Sequence, residues 1–251
     1  MALETRQRLY CDAALGEGAG LILDRDQSHY LINVLRYQTG QEVLIFNGID
    51  GEYRASITLA DRKKAQLLCH EQTRPQDPMP DLTLVFAPIK KARIDFIAEK
   101  ATELGVGRIQ PIMTDFTQVS RVNTDRMAAN AIEAAEQTGR TTIPVIDQPL
   151  SLQTLLEDWP EGCHIIFCDE DTAGNADFAF NKRVASLKGP AAILIGPEGG
   201  FSPRERDLIR GHKAAVPVSL GQNILRADTA MLAALSLWQG VAGDWKDADG
   251  Q

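Results

Sequence analysis

Short apolar runs bounded by turn residues fill the first seventy positions; beyond residue 80, apolar runs and helix-period stretches take turns. Val43–Phe46 and Tyr53–Leu59 read as strands flanking the turn Asn47-Gly-Ile-Asp-Gly51, and Gln66–His70 reads as another. Leu31, Val34 and Leu35 at helical spacing predict a short helix within Asp26–Arg36, with Asp26 as its N-cap. Residues 1–72 therefore form a small β-rich unit. The stretch Gln72–Pro80 carries three prolines, which block both helix and ladder, so a stiff linker is expected over 73–80.

From residue 81 to 251 the pattern is α/β with a mostly parallel sheet. Leu82–Ala87, Ile165–Cys168 and Ala191–Ile195 are strands of the fully buried type, and Arg108–Ile112 is a shorter one. Ile94, Ile97, Ala98, Ala101 and Leu104 share one helical face that Gly105 terminates. An alanine-rich helix spans Asn123–Gln137, capped by Thr124 or Asp125, and a shorter helix spans Ser151–Glu157. Ser202-Pro-Arg-Glu205 is a capping box with proline at the first helical position. Val216–Leu220 is a strand whose proline suits a sheet edge, and a last helix runs from Ala227 to Gln239. Met231, Leu232, Leu235 and Trp238 fall on one face of that helix.

Composition narrows the class. The chain has 251 residues, 44% of them apolar, and its apolar runs are far too short for a membrane span. Its first residues lack an apolar signal core, so a cytoplasmic protein is expected. Cys11, Cys69, Cys163 and Cys168 follow neither a disulfide nor a metal pattern and read as reduced thiols. A net charge of −8 argues against a nucleic-acid partner without excluding one, because phosphate contacts depend on local patches. Such patches exist at Arg62-Lys63-Lys64, at Lys90, Lys91 and Arg93, and at Arg204, Arg206, Arg210, His212 and Lys213, although a solvated face explains any one of them more often than function does.

The chemistry concentrates in two loops. Gly196-Pro-Glu-Gly-Gly200 follows one buried strand, and Leu220-Gly-Gln-Asn-Ile-Leu-Arg-Ala-Asp-Thr-Ala230 follows the next. The first lacks the Gly-Lys-Ser/Thr ending of a phosphate loop and the spacing of a dinucleotide fingerprint. Read alone, it is either a tight strand-to-helix turn or a place where main chain approaches a ligand. With Gly221, Ile224 and Leu225 nearby, the pair suits a purine, whose edge can bond to backbone groups between apolar side chains. Consecutive strand ends are where open α/β sheets bind ligands.

These two loops resemble the cofactor signature of SPOUT-class RNA methyltransferases, and more narrowly the RsmE-type family, which methylates N3 of a uridine in 16S ribosomal RNA. The likeness extends to His29–Arg36 with Gly40 and Asn47-Gly48, to Lys100–Val106 and to Glu133–Arg140. It implies a PUA-like N-terminal β-barrel domain that binds RNA, and a C-terminal domain with the SPOUT trefoil knot. It further implies S-adenosylmethionine held by Leu194, Gly196, Glu198, Gly199, Gly200, Leu220, Gly221, Ile224, Leu225 and Thr229. The expected partners are 16S ribosomal RNA or the small subunit, and a second copy of the chain, with the apolar face of the last helix either an interface or simple core. Ribose 2′-O-methylation and a non-catalytic assembly role are the alternatives on the same fold.

No metal is needed, since the sulfonium brings its own leaving group. Positioning and the N3 proton are what the protein must manage. Arg226 is the electrostatic candidate, and Glu198 and Asp228 are the nearby carboxylates, although Asp228 doubles as an N-cap candidate for the last helix. Lys90, Lys91 and Arg93 place cations at a helix N-terminus, against the macrodipole, which is understandable if phosphate lies there. With Arg36, Arg121 and Arg140 they are the expected RNA contacts.

Overall fold

The computed structural model describes residues 7–89 and 91–245, the side chains of residues 91 and 92 excepted. Two compact units divide it: residues up to Pro78 together with Ala135–Ile143, and Met79–Ala134 together with the chain from Pro144 onward. Residues 135–143 thus group with the first unit, whereas the sequence-based division put them in 81–251. The physical reason is a set of hydrogen bonds: Arg8 donates to the carbonyls of Ala135, Glu136 and Arg140, and Thr141 donates to Asp77.

The first unit holds β1 (Arg8–Tyr10), β2 (Gly20–Ile22), α1 (Arg25–His29), β3 (Glu42–Phe46), β4 (Glu52–Leu59) and β5 (Gln66–Arg74). Their order in the sheet is β1-β3-β4-β5-β2, antiparallel except for the parallel β1–β3 pair. Val43 and Ile45, Ala55 and Ile57, and Leu67 and Cys69 alternate onto one buried face with Leu31, as the period of two demands. Two expectations change here. The single helix over 26–36 is instead α1, capped by Asp24 through Gln27 N at 2.8 Å, followed by a π-helical turn over Tyr30–Val34. Asp24 wins over Asp26 because its backbone is extended, leaving its carboxylate free to turn back on the first helical amides. The expected linker also begins as strand, since Arg74 pairs with Glu52.

The second unit contains β6 (Leu82–Phe86), α2 (Lys91–Glu103), β7 (Arg108–Met113), α3 (Thr124–Thr138, its last turn in the first unit), β8 (Val145–Ile146), β9 (Leu150–Ser151), α4 (Leu152–Glu157), β10 (His164–Cys168), α5 (Phe180–Val184), β11 (Ala191–Ile195), α6 (Pro203–Arg210), β12 (Ala215–Val218) and α7 (Ala227–Val241). The sheet runs β12-β10-β11-β6-β7-β8, every pair parallel, with β9 added to β7. Successive strand residues point to opposite faces, and both faces are covered. Leu84, Phe86, Ile193 and Ile195 pack with Ile97 and Ala101 of α2 and with Met231, Leu235 and Trp238 of α7. Val85, Ala192, Leu194 and Phe167 pack with Leu152 and Leu156 of α4 and with Ile209 of α6. The apolar face of α7 is therefore spent on the core of its own chain. Asn123, not Thr124 or Asp125, caps α3, accepting from Arg126 N at 3.0 Å.

Candidate functional site

The C-terminal ends of β10, β11 and β12 open on a cavity of about 520 Å³. Its floor is the loop after β11. Gly200 N donates to Pro197 O at 2.9 Å, closing a tight turn that requires φ +69° at Gly200. At Gly196 an added Cβ would come within 2.8 Å of the Phe201 ring, which stands edge-on to Phe167 at a centroid distance of 5.5 Å. The loop ends in the capping box: Ser202 N donates to Glu205 Oε2 (3.0 Å), and Glu205 N to Ser202 Oγ (3.3 Å). Asp115, on the connection after β7, ties in from outside. It accepts from Ser202 Oγ at 2.5 Å and donates its amide to Glu205 Oε1 at 2.8 Å.

The loop after β12 forms the opposite wall. Gly174 N donates to Gly221 O at 2.8 Å, anchoring its start. Leu220, Ile224 and Leu225 line the cavity, and Ile224 is 74% exposed. Arg226 is the N-cap of α7, contributes no side-chain cap, and places an exposed guanidinium on the wall. Asp228 lies inside the helix as its second residue, not at the cap. Its carboxylate instead receives Arg93 Nη1 at 2.6 Å.

A third wall escaped the sequence reading. Phe167, Cys168, Asp169, Glu170 and Ala173, at and beyond the end of β10, border the cavity together with Arg206. Arg206 and Arg210, four apart on α6, reach this acidic run: Arg206 Nη1 lies 2.6 Å from Asp171, Arg206 Nη2 lies 2.6 Å from Glu170 Oε1, and Arg210 Nε lies 2.7 Å from Asp169 Oδ2. What reads as a solvated basic cluster is half of an ion-pair network. The available signal was the match between three consecutive acids after a buried strand and an i, i+4 arginine pair. Desolvation and then the charge of Asp169 raise the Cys168 thiol at the cavity's edge.

Of the residues named for the cofactor, Gly196, Glu198, Gly200, Leu220, Gly221, Ile224 and Leu225 border the cavity. Leu194 is 1% exposed inside the sheet core, Gly199 faces Phe116, and Thr229 lies off the wall on an exposed side of α7. Among the named RNA contacts, Arg93 belongs to the cavity wall and is paired with Asp228, so it does not stand on a free basic face. Arg36, at φ 60°, is exposed in the first unit, and Arg121 is exposed ahead of α3 in the second. Arg140 directs its guanidinium at Thr142 Oγ1 (2.8 and 3.2 Å). Lys90 and the side chain of Lys91 lie outside the described residues.

The cavity is lined by three cations (Arg93, Arg206, Arg226) and three carboxylates (Asp169, Glu170, Glu198) around apolar walls. That composition offers partners to a small molecule carrying both cationic and anionic groups. No cluster of metal-ligating side chains occurs among the described residues, and no described helix is long and apolar enough to cross a membrane.

Comparison with known proteins bears on this cavity. A family model described as an RNA methyltransferase domain matches residues 75–239, and one described as an RNA methyltransferase PUA domain matches residues 23–68. The ribosomal RNA small subunit methyltransferase E of Rickettsia conorii is 31% identical over 231 residues, covering 91% of this chain and 93% of that protein. Its namesake in Synechocystis is 33% identical, covering 87% and 72% respectively. The crystal structure of the enzyme of that name from Neisseria gonorrhoeae, bound to S-adenosyl methionine, superposes with a TM-score of 0.83 at 26% identity, covering 93% of this chain and 97% of that one.

Proposed function

The chain belongs to the ribosomal RNA small subunit methyltransferase E family, and from that premise we propose that it transfers the methyl group of S-adenosylmethionine to N3 of a uridine in 16S ribosomal RNA. Its second unit has the SPOUT fold and its first is PUA-like. The observation that carries the reading is the cavity itself, where two glycine-bearing loops follow β11 and β12, the strands on either side of β10. Its volume of about 520 Å³ accommodates one nucleoside-sized ligand, and its walls offer backbone polar groups beside Leu220, Ile224 and Leu225.

S-adenosylmethionine, when bound, supplies a methyl group on a sulfonium that leaves as a neutral thioether. Leu220, Ile224 and Leu225 cover the adenine, and the glycines of both loops let main chain meet its edge. Leu194 acts from behind, by setting the course of β11, and Gly199 and Thr229 support the two loops. The protein's task at the reacting base is positional and electrostatic. Arg226 offers its guanidinium to a uracil carbonyl, favouring the N3 anion, and Glu198 at the exposed loop tip takes the proton. Arg93, steadied by Asp228, meets the incoming nucleotide from the wall. Arg36, Lys90, Lys91, Arg121 and Arg140 contact RNA backbone, with the PUA-like unit as a binding module. The enzyme works in the cytoplasm as a homodimer whose interface excludes the buried side chains of α7.

The test is nucleoside mass analysis of 16S RNA and of small subunits incubated with the protein and S-adenosylmethionine. The expected product is 3-methyluridine. A ribose-methylated nucleoside, or no product with either substrate, overturns the proposal.

A further inference from the structure

We propose that Glu170 accepts hydrogen bonds from the ribose hydroxyls of the nucleoside held in the cavity, with Arg206 as its positioning residue; this rests on the cofactor reading above. The relationship of strands comes first. Glu170 lies just past the end of β10, which pairs in register with β11 (Phe167 beside Leu194), and β11 carries the glycine-rich loop. An acid beyond the strand next to a glycine-bearing strand is how dinucleotide folds hold a ribose, because the sugar reaches sideways from a nucleoside seated over the switch point. Here the same two positions are filled without the dinucleotide spacing.

The carboxylate is held in place from two directions. Arg206 Nη2 donates to Glu170 Oε1 at 2.6 Å, and Arg206 is itself only 16% exposed. On the other side lies Gly200, where any Cβ would stand 2.1 Å from Glu170 Oε1. The absent side chain at Gly200 is what lets the carboxylate rest against the loop. Glu170 Oε2 accepts no hydrogen bond among the described residues, and the side chain is 39% exposed while bordering the cavity. One oxygen fixed by an arginine and one left for a ligand is the arrangement a vicinal diol can use, each hydroxyl donating to a carboxylate lone pair.

The neighbouring acids do not offer this. Asp169 has a fully buried side chain whose oxygens are taken by Arg210 Nε at 2.7 Å and by Asp171 N at 3.2 Å. Glu198 stands at the tip of the turn, where it serves the reacting base instead.

Calorimetry with S-adenosylhomocysteine and its 2′-deoxy and 3′-deoxy analogues, on wild type and Glu170→Gln, tests the assignment. Wild type should bind at least one deoxy analogue roughly 10- to 100-fold more weakly than the parent. Glu170→Gln should lose a similar factor for the parent and bind that analogue with little further loss. Equal losses for parent and analogues in the variant would overturn the assignment while leaving the cofactor reading intact. So would a wild type indifferent to both hydroxyls, whatever the variant does. A wild type that binds none of these ligands, nor S-adenosylmethionine, overturns both.

Discussion

Arg8 Nε lies 2.6 Å from the Glu52 carboxylate, with the two side chains only 10% and 6% exposed. The same guanidinium donates to Ala135 O (2.6 Å), Glu136 O (3.0 Å) and Arg140 O (2.9 Å), and lies 4.4 Å from the centroid of Phe46. It thus caps the carbonyl end of α3, where cations are favoured. Arg8→Ala leaves Glu52 buried without its counter-charge and should cost about 3–5 kcal/mol. Urea unfolding checks this. A double-mutant cycle with Glu52→Gln should show that much of the loss is the stranded carboxylate.

Gly200→Ala should damage folding and binding together. The left-handed backbone at φ +69° is strained for alanine, by about 1 kcal/mol or more, and its methyl would displace the Glu170 carboxylate. Thermal melting with and without S-adenosylmethionine separates the two effects: the variant's melting temperature should fall, and the ligand should raise it less than in wild type.

Arg226→Ala should leave cofactor affinity unchanged and slow methyl transfer about 10²- to 10³-fold, the usual cost of removing one donor to developing charge. Single-turnover rates at saturating RNA measure it. Because its side chain makes no cap bond to α7, the melting temperature should not move. A large loss of stability would give Arg226 a structural role instead.

Arg121 is exposed, so its proposed phosphate contact predicts a salt effect. Arg121→Ala should weaken RNA binding uniformly across sequences and reduce the slope of log K against log salt by roughly one. An unchanged slope removes it from the interface.

Stability should decline in alkali through two raised thiols, the buried Cys11 and the partly buried Cys168. Burial, then the neighbouring Cys69, push the Cys11 thiol up to about 12, and the Cys168 thiol is also raised. A raised folded value means the contribution is complete below the unfolded thiol's pKa of about 8.5 and is lost as pH climbs toward 12. Urea unfolding should therefore show stability falling by up to about 1.4 kcal/mol per pH unit per thiol above pH 9. Cys11→Ala should flatten that fall, whatever it costs at neutral pH.

What could be read in the chain was local. β10 and β11 declare themselves by unbroken apolar runs, and the Ser202–Glu205 box lies within one helical turn. The first glycine-bearing loop was identifiable because it follows such a strand, and the second by its own dense run of glycine, apolar and charged residues after the proline-bearing β12. Contacts across long separations were not. Arg210 meets Asp169 across 41 residues and Arg93 meets Asp228 across 135, and only the sheet order brings them together. β1 and β2 were invisible for a different reason: three residues with a single buried side chain each give no period to detect. Asp24 and Asp26 are chemically identical cap candidates, and backbone conformation chose between them.

The hydrogen bonds that link Asp115 with Ser202 and Glu205 have a consequence for kinetics. They pin the far end of the turn that begins at Gly196, while β11 pins its near end. A recognition loop fastened this way has little conformational freedom left to surrender when a small molecule enters. Ordering an interface commonly costs about 0.5–1.5 kcal/mol per immobilised side chain, and here much of that loss is incurred once, during folding. Entry and departure of the ligand can then be rapid, without a slow rearrangement of the main chain on each catalytic cycle.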